Sequence, residues 1–136
     1  MIDLAPKEYN KDIKENPGIY KIILVDNLCN CIKIGRFLGE DEFGILYIGS
    51  TDNLQRRLAE IKKSLPYPKN ENDFYLGGSH QFGNKVKNIK KFWDKYTLNN
   101  ITVEIIETDN FRTAETEALE NYYNQFGELP PYNDSF

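Results

Sequence analysis

The chain has 136 residues, 40% of them hydrophobic and 28% charged, proportions of a soluble globular protein with one core rather than of a disordered chain. Its formal net charge of -4 and pI near 5.1 exclude a protein that coats DNA through bulk electrostatics. No apolar run approaches the ~20 residues needed to cross a bilayer, and the amino terminus lacks the charged-then-apolar layout of a signal peptide, so a cytoplasmic protein without a membrane partner is expected.

Residues 1–16 read as an N-terminal extension, polar and charged from residue 7 onward. Asn16-Pro17-Gly18 then punctuates the start of a strand from Ile19 to Val25. Residues 26–44 read as an insertion. A short apolar segment, Cys31-Ile32-Lys33-Ile34, is flanked there by Asn27, Asn30, Gly35 and the acidic Glu40-Asp41-Glu42, which predicts a hairpin. Cys29 and Cys31 cannot complete a four-ligand zinc site by themselves and read as reduced thiols. Ile45 to Ser50 is the second core strand, and Asp52-x-x-Gln55 is a capping box opening a helix. Leu54, Leu58, Ile61 and Leu65 recur at i, i+4, i+7 and i+11, an apolar face for the sheet. Arg57 falls about 60° from Leu54, on the rim of that face, where its stem packs and its guanidinium reaches a cleft.

Residues 66–83, with two prolines, three glycines and the only histidine, His80, predict a long loop. Phe82, Val86, Ile89 and Trp93 repeat the helical spacing, with Lys85, Lys87, Lys90, Lys91 and Lys95 on other faces, predicting one basic amphipathic helix. From Gln55 to Lys95 ten basic residues oppose four acidic ones, a balance of +6 that leaves -10 for the remainder. A basic groove framed by acidic surface has this asymmetry, and so do solvated helix faces. Lys62, Lys63, Lys85, Lys87, Lys90 and Lys91 are the candidate nucleic-acid contacts. Asn99-Asn100 turns the chain into a strand from Ile101 to Glu107, followed by a helix from about Arg112 to Phe126 ending at Gly127. Leu119, Tyr122, Tyr123 and Phe126 form its core stripe, with Glu120 beside them. This order of elements predicts an α+β sandwich, one domain over residues 1–136.

Gly18-Ile19-Tyr20 and Tyr47-Ile48-Gly49 each set a tyrosine beside a glycine, ahead of a helix bearing arginine. The pair resembles the signature of the GIY-YIG nuclease superfamily, and the resemblance runs from Gly18 to Asn133. It implies a three-stranded antiparallel sheet flanked by helices, and a metal-dependent endonuclease acting on DNA, RNA not being excluded. In the matching positions Tyr20 is the first candidate for general base and Tyr47 the second. Arg57, ten positions after Tyr47, is catalytic. Glu120 is the acidic residue holding Mg2+ (or Mn2+), with Glu117 one turn before it disfavoured by the spacing to Asn133. Gly49 and Asn133 are supporting residues.

Two departures stand out. The insertion is longer than the connection the family commonly uses, and Ile61 occupies the position where many members carry a histidine. His80 is the candidate to substitute from the loop. A tyrosine serving as base near neutral pH needs its pKa lowered from ~10 by about three units, or ~4 kcal/mol, with Arg57 and the metal as sources. The competing reading is a non-catalytic nucleic-acid- or protein-binding module on the same scaffold. A homodimer or a partner protein is left open by so small a chain.

Overall fold

The computed structural model describes residues 2–3, 13–65 and 80–136. Its principal sheet is antiparallel throughout and contains β1 (Ile2–Asp3), β2 (Gly18–Leu24), β5 (Ile45–Thr51) and β6 (Ile101–Glu107), in the order β1-β6-β2-β5. The three long strands fall within a residue of the segments expected from alternation and turn residues. They form the expected three-stranded antiparallel sheet, to which β1 adds a two-residue strand from the N-terminal extension. Every residue of β2 except Lys21 is buried, because this central strand is covered on both faces.

A bulge between β2 and β5 sets the site. Ile22 pairs with Tyr47 but Ile23 pairs with Ile45, so Leu46 is an extra residue in β5. Side chains alternate with period two along a strand, and one inserted residue reverses the phase. Ile45 therefore joins the core cluster of Ile23, Ile48, Leu119 and Phe126, whereas Leu46 and Tyr47 join that of Tyr20, Leu54, Leu58 and Phe82.

The second cluster is closed by α1 (Leu54–Ser64) and α2 (Gln81–Val86). Leu54, Leu58 and Ile61 of α1 and Leu65, which caps its end, are all buried, as the spacing predicts. The cap differs from the expected one: Asn53 accepts from the Arg56 amide at 3.0 Å, while Asp52 pairs with the Arg56 side chain at 2.6 Å. The single basic helix expected over Phe82 to Trp93 is two, α2 and α3 (Lys90–Lys95). The break stands at residues 87–89, where the Trp93 indole donates to the Val86 carbonyl at 2.9 Å and satisfies the end of α2. Of the loop expected over residues 66–83, residues 66–79 lie outside those described.

The opposite face is covered by α4 (Phe111–Phe126), which stops at Gly127 in the left-handed conformation, φ 75°. Leu119, Tyr122 and Phe126 are buried, but Tyr123 is 44% exposed, because successive helical residues diverge by about 100°. The insertion forms the hairpin β3 (Ile34–Arg36) and β4 (Gly39–Asp41). It is anchored at the C-terminal end of α4: the Leu38 amide donates to the Phe126 carbonyl at 2.9 Å, Arg36 pairs with Glu128 at 3.0 Å, and the buried Asp41 accepts from the Tyr122 hydroxyl at 2.8 Å. No helix among the described residues is long and apolar enough to cross a membrane.

Candidate active site

The antiparallel register pairs Tyr20 of β2 with Gly49 of β5. The Tyr20 ring lies over that glycine so closely that a Cβ at position 49 would fall inside its phenol. The missing side chain makes room for the tyrosine across the strand pair. Tyr47, two positions before Gly49, stacks on Tyr20 with ring centroids 6.2 Å apart and 24° between planes. Both phenols are buried, Tyr20 at 1% exposure and Tyr47 at 7%.

His80 joins them from the start of α2. Its Nε2 lies 2.8 Å from the Tyr20 hydroxyl oxygen, and its Nδ1 accepts from the Phe82 amide at 3.0 Å, capping the helix. Gln81, the next residue, accepts from the Tyr47 hydroxyl at 3.3 Å. Arg57, one turn into α1, pairs with Glu60 at 2.7 Å and lies close enough to Tyr20 to act on its ionisation. Tyr20, Tyr47, Arg57 and His80, named from the sequence, are thus brought together.

The electrostatics differ from expectation. Burial, reinforced by Tyr47, raises the Tyr20 phenol well above its ordinary 10, and the opposing hydrogen bond and charge of Arg57 do not offset it. Burial and then Glu115 raise Tyr47 as well. In the protein alone, Arg57 therefore does not lower either phenol toward neutrality. Burial works against the charge on Arg57, but the Tyr20 hydrogen bond and Glu60 more than reverse it, and the guanidinium stays charged. Burial, then the Arg57 charge, pushes the His80 imidazole down to about 3, so the ring is neutral.

The acidic residues of α4 are placed differently from one another. Glu120 is exposed, whereas Glu115 accepts from the Ser50 hydroxyl and contributes to the electrostatics of both tyrosines. The two carboxylates leave α4 about 140° apart. Ser50 projects to the α4 side of β5, the outermost strand, and so links Glu115 to that end of the sheet. Glu117 lines a cleft with Ile19, Lys21 and Asn121 on the α4 side. A signal for Glu115 was present: it precedes the fully buried Leu119 by four residues and Tyr122 by seven, on the inward face. Ser50 and Gln81 carried none.

Asn133 spans the Ile48 peptide, accepting from its amide at 2.9 Å and donating to its carbonyl at 2.9 Å. Asp134 accepts from Gln81 at 2.6 Å and from Lys85, which lowers the Asp134 pKa and ties the C-terminal segment to α2. The lysines do not form the uniform basic face expected of them. Lys62 is 8% exposed, Lys63 is half-buried, Lys85 is held by Asp134 and the Tyr132 carbonyl, and Lys90 pairs with Asp94 at 3.3 Å. Lys87 and Lys91 are exposed.

Among the described residues no group of three or more His, Cys, Asp or Glu side chains could enclose a metal ion. A single carboxylate steadied by a hydroxyl, as Glu115 is by Ser50, fits a hard cation that keeps most of its waters, and does not fit a fully protein-ligated one.

No family model matches the sequence, and no curated protein matches it. Among solved structures the chain is similar to the GIY-YIG N-terminal endonuclease domain of UvrC from Thermotoga maritima, a point mutant described as bound to its catalytic divalent cation. The identity is 18% and the TM-score 0.38, over 91% of this chain and 89% of that one.

Proposed function

We propose that the protein is a divalent-metal-dependent endonuclease that hydrolyses phosphodiester bonds, with DNA as the principal substrate. The observation that carries this reading is the meeting of two phenols, a permanently charged guanidinium and the Glu115 carboxylate about one end of the sheet. Phosphodiester hydrolysis needs donors for the charge that grows on the phosphoryl oxygens and an acceptor for the proton of the attacking water. Arg57 supplies the first, a planar fork matched to phosphate. Glu115, steadied by Ser50, is the residue that would hold Mg2+ or Mn2+. Such an ion supplies positive charge beside the phosphate.

Of the two phenols, Tyr47 is assigned the proton from water, as a phenolate whose own proton has left to solvent. It is the less buried of the two, whereas Tyr20 is enclosed by His80, Arg57 and Gly49; burial and Glu115 both raise the Tyr47 pKa, and the charge of a bound cation would have to offset them. The sequence favours Tyr20 for this role; the depth of burial favours the exchange. Gly49 makes room for the pair, and Asn133 holds β5 in register beside it.

The test is incubation of the purified protein with linear, flapped and branched DNA, and with RNA, with Mg2+ or Mn2+ and after chelation. Metal-dependent nicking or cutting that Arg57→Ala abolishes is the expected result. Saturable binding that weakens with salt, without cleavage of any substrate, would replace this reading with that of a binding module.

A further inference from the structure

We propose that His80 is a positioning residue whose ring, held by the Phe82 amide, donates its Nε2 proton to the Tyr20 hydroxyl oxygen and so fixes that phenol beside Tyr47. The argument begins at the helix cap. A backbone N–H can only donate, so the His80 Nδ1, 3.0 Å from the Phe82 amide, carries a lone pair and no proton. The ring is 2% exposed and neutral, which leaves its one proton on Nε2, 2.8 Å from the Tyr20 oxygen. The alternative tautomer would set two N–H groups against each other at the cap, and an imidazolium would do the same.

A hydroxyl has one proton to give and two lone pairs to fill. His80 fills one lone pair of Tyr20 and leaves the hydroxyl proton with no acceptor on the imidazole. The Tyr20 proton therefore cannot be shared with His80, and the phenol faces the imidazole as an acceptor. The direction of this chain is therefore set at a peptide amide: Phe82 to His80, and His80 to Tyr20. His80 serves here as a donor, the reverse of a base that would remove a proton from tyrosine. It does so from α2, with Ile61 fully buried in α1 and unable to take part.

The effect on rate rests on the nuclease reading, but the tautomer does not. His80 is the only histidine, so nitrogen NMR of the intact, uniformly labelled protein reports it without assignment. A protonated Nε2 and an unprotonated Nδ1, unchanged between about pH 8 and pH 5, are expected. Protonation at Nδ1, or at both nitrogens at neutral pH, would overturn the proposal. Two variants separate the cap from the donor. His80→Asn keeps a side-chain oxygen for the Phe82 amide but is too short to reach Tyr20, and His80→Gln extends an amide donor to Tyr20 while losing the cap. Cleavage is expected to fall about tenfold in His80→Asn with thermal stability close to the parent's, and to recover most of that loss in His80→Gln, about the effect of one hydrogen bond. Full activity in His80→Asn, or a larger loss in His80→Gln than in His80→Asn, would also overturn it. Absence of cleavage by the unaltered protein would remove the nuclease reading, and the nitrogen spectrum would still decide the tautomer.

Discussion

The two faces of one sheet are built differently. Against α4, β2 and β5 present Ile23, Ile45 and Ile48 to Leu119 and Phe126, a hydrocarbon core whose polar contacts, the Tyr122–Asp41 anchor of the hairpin and Ser50 with Glu115, involve no buried aromatic pair of the strands. Against α1 and α2, the same strands bury Tyr20 and Tyr47, with His80, among Leu54, Leu58, Ile61 and Phe82. No buried side-chain polar atom among the described residues lacks a hydrogen-bond partner, so the second face is fully satisfied. Satisfied polar groups in a core still give no more stability than well-packed hydrocarbon. Their concentration on one face, beside a charged arginine, marks that face as the one shaped by chemistry.

Arg57→Ala should break the contrast most severely. Cleavage is expected to fall about a thousandfold, the scale of one transition-state donor, while circular dichroism remains that of the folded protein. Arg57→Lys should recover little, because an ammonium lacks the planar fork. Next come the two carboxylates of α4: Glu115→Ala should lower metal-dependent cleavage about a hundredfold and raise the Mg2+ needed for half-maximal rate, while Glu120→Ala stays within about twofold of the parent. Equal losses in both would remove Glu115 from the site.

Acid stability sharpens the comparison further. The folded imidazole has its pKa depressed from 6.5 to about 3, so below about pH 6.5 the unfolded chain takes up a proton that the folded chain refuses. His80 thus contributes stability that is present above pH 6.5 and lost as pH falls toward 3. Urea titrations should show the parent losing about 2 kcal/mol more than His80→Gln between about pH 6.5 and pH 5. The smallest of these effects is that of Gly49→Ala, which forces the Tyr20 ring to move. A cost of about 1–3 kcal/mol is expected, read as a lower melting temperature. Cleavage per folded molecule should fall with it, whereas Ile48→Ala on the hydrocarbon face should lower stability and leave that quantity unchanged.

Periodicity made the scaffold legible. Alternating Ile and Val marked β6, the i, i+4, i+7 spacing marked α1, and Gly127 marked the end of α4. The bulge at Leu46 left no trace, since Ile45, Leu46 and Tyr47 are all apolar enough for either face. The phenols and Arg57 were named because Gly18-Ile19-Tyr20, Tyr47-Ile48-Gly49 and the helix after them resemble a known signature. Glu120 was named from the resemblance of its helix, with the distance to Asn133 set against Glu117; which α4 carboxylate meets β5 depends on helical phase, and the one bonded to Ser50 is Glu115. His80 stands alone in a polar stretch, and only tertiary contact with Tyr20 gives it a role. The break between α2 and α3 depends on an indole reaching back seven residues, which no window of propensity records.

The tyrosines lie near an outer margin of the sheet, where the last strand would otherwise offer bare peptide groups to any passing extended chain. Tyr132 donates its amide to Leu46 at 3.0 Å and Asn133 embraces the Ile48 peptide, so the C-terminal segment occupies those positions itself. The margin beside the phenols is thereby made unreceptive to strand addition, and a large anionic polymer can approach it without competition from self-association.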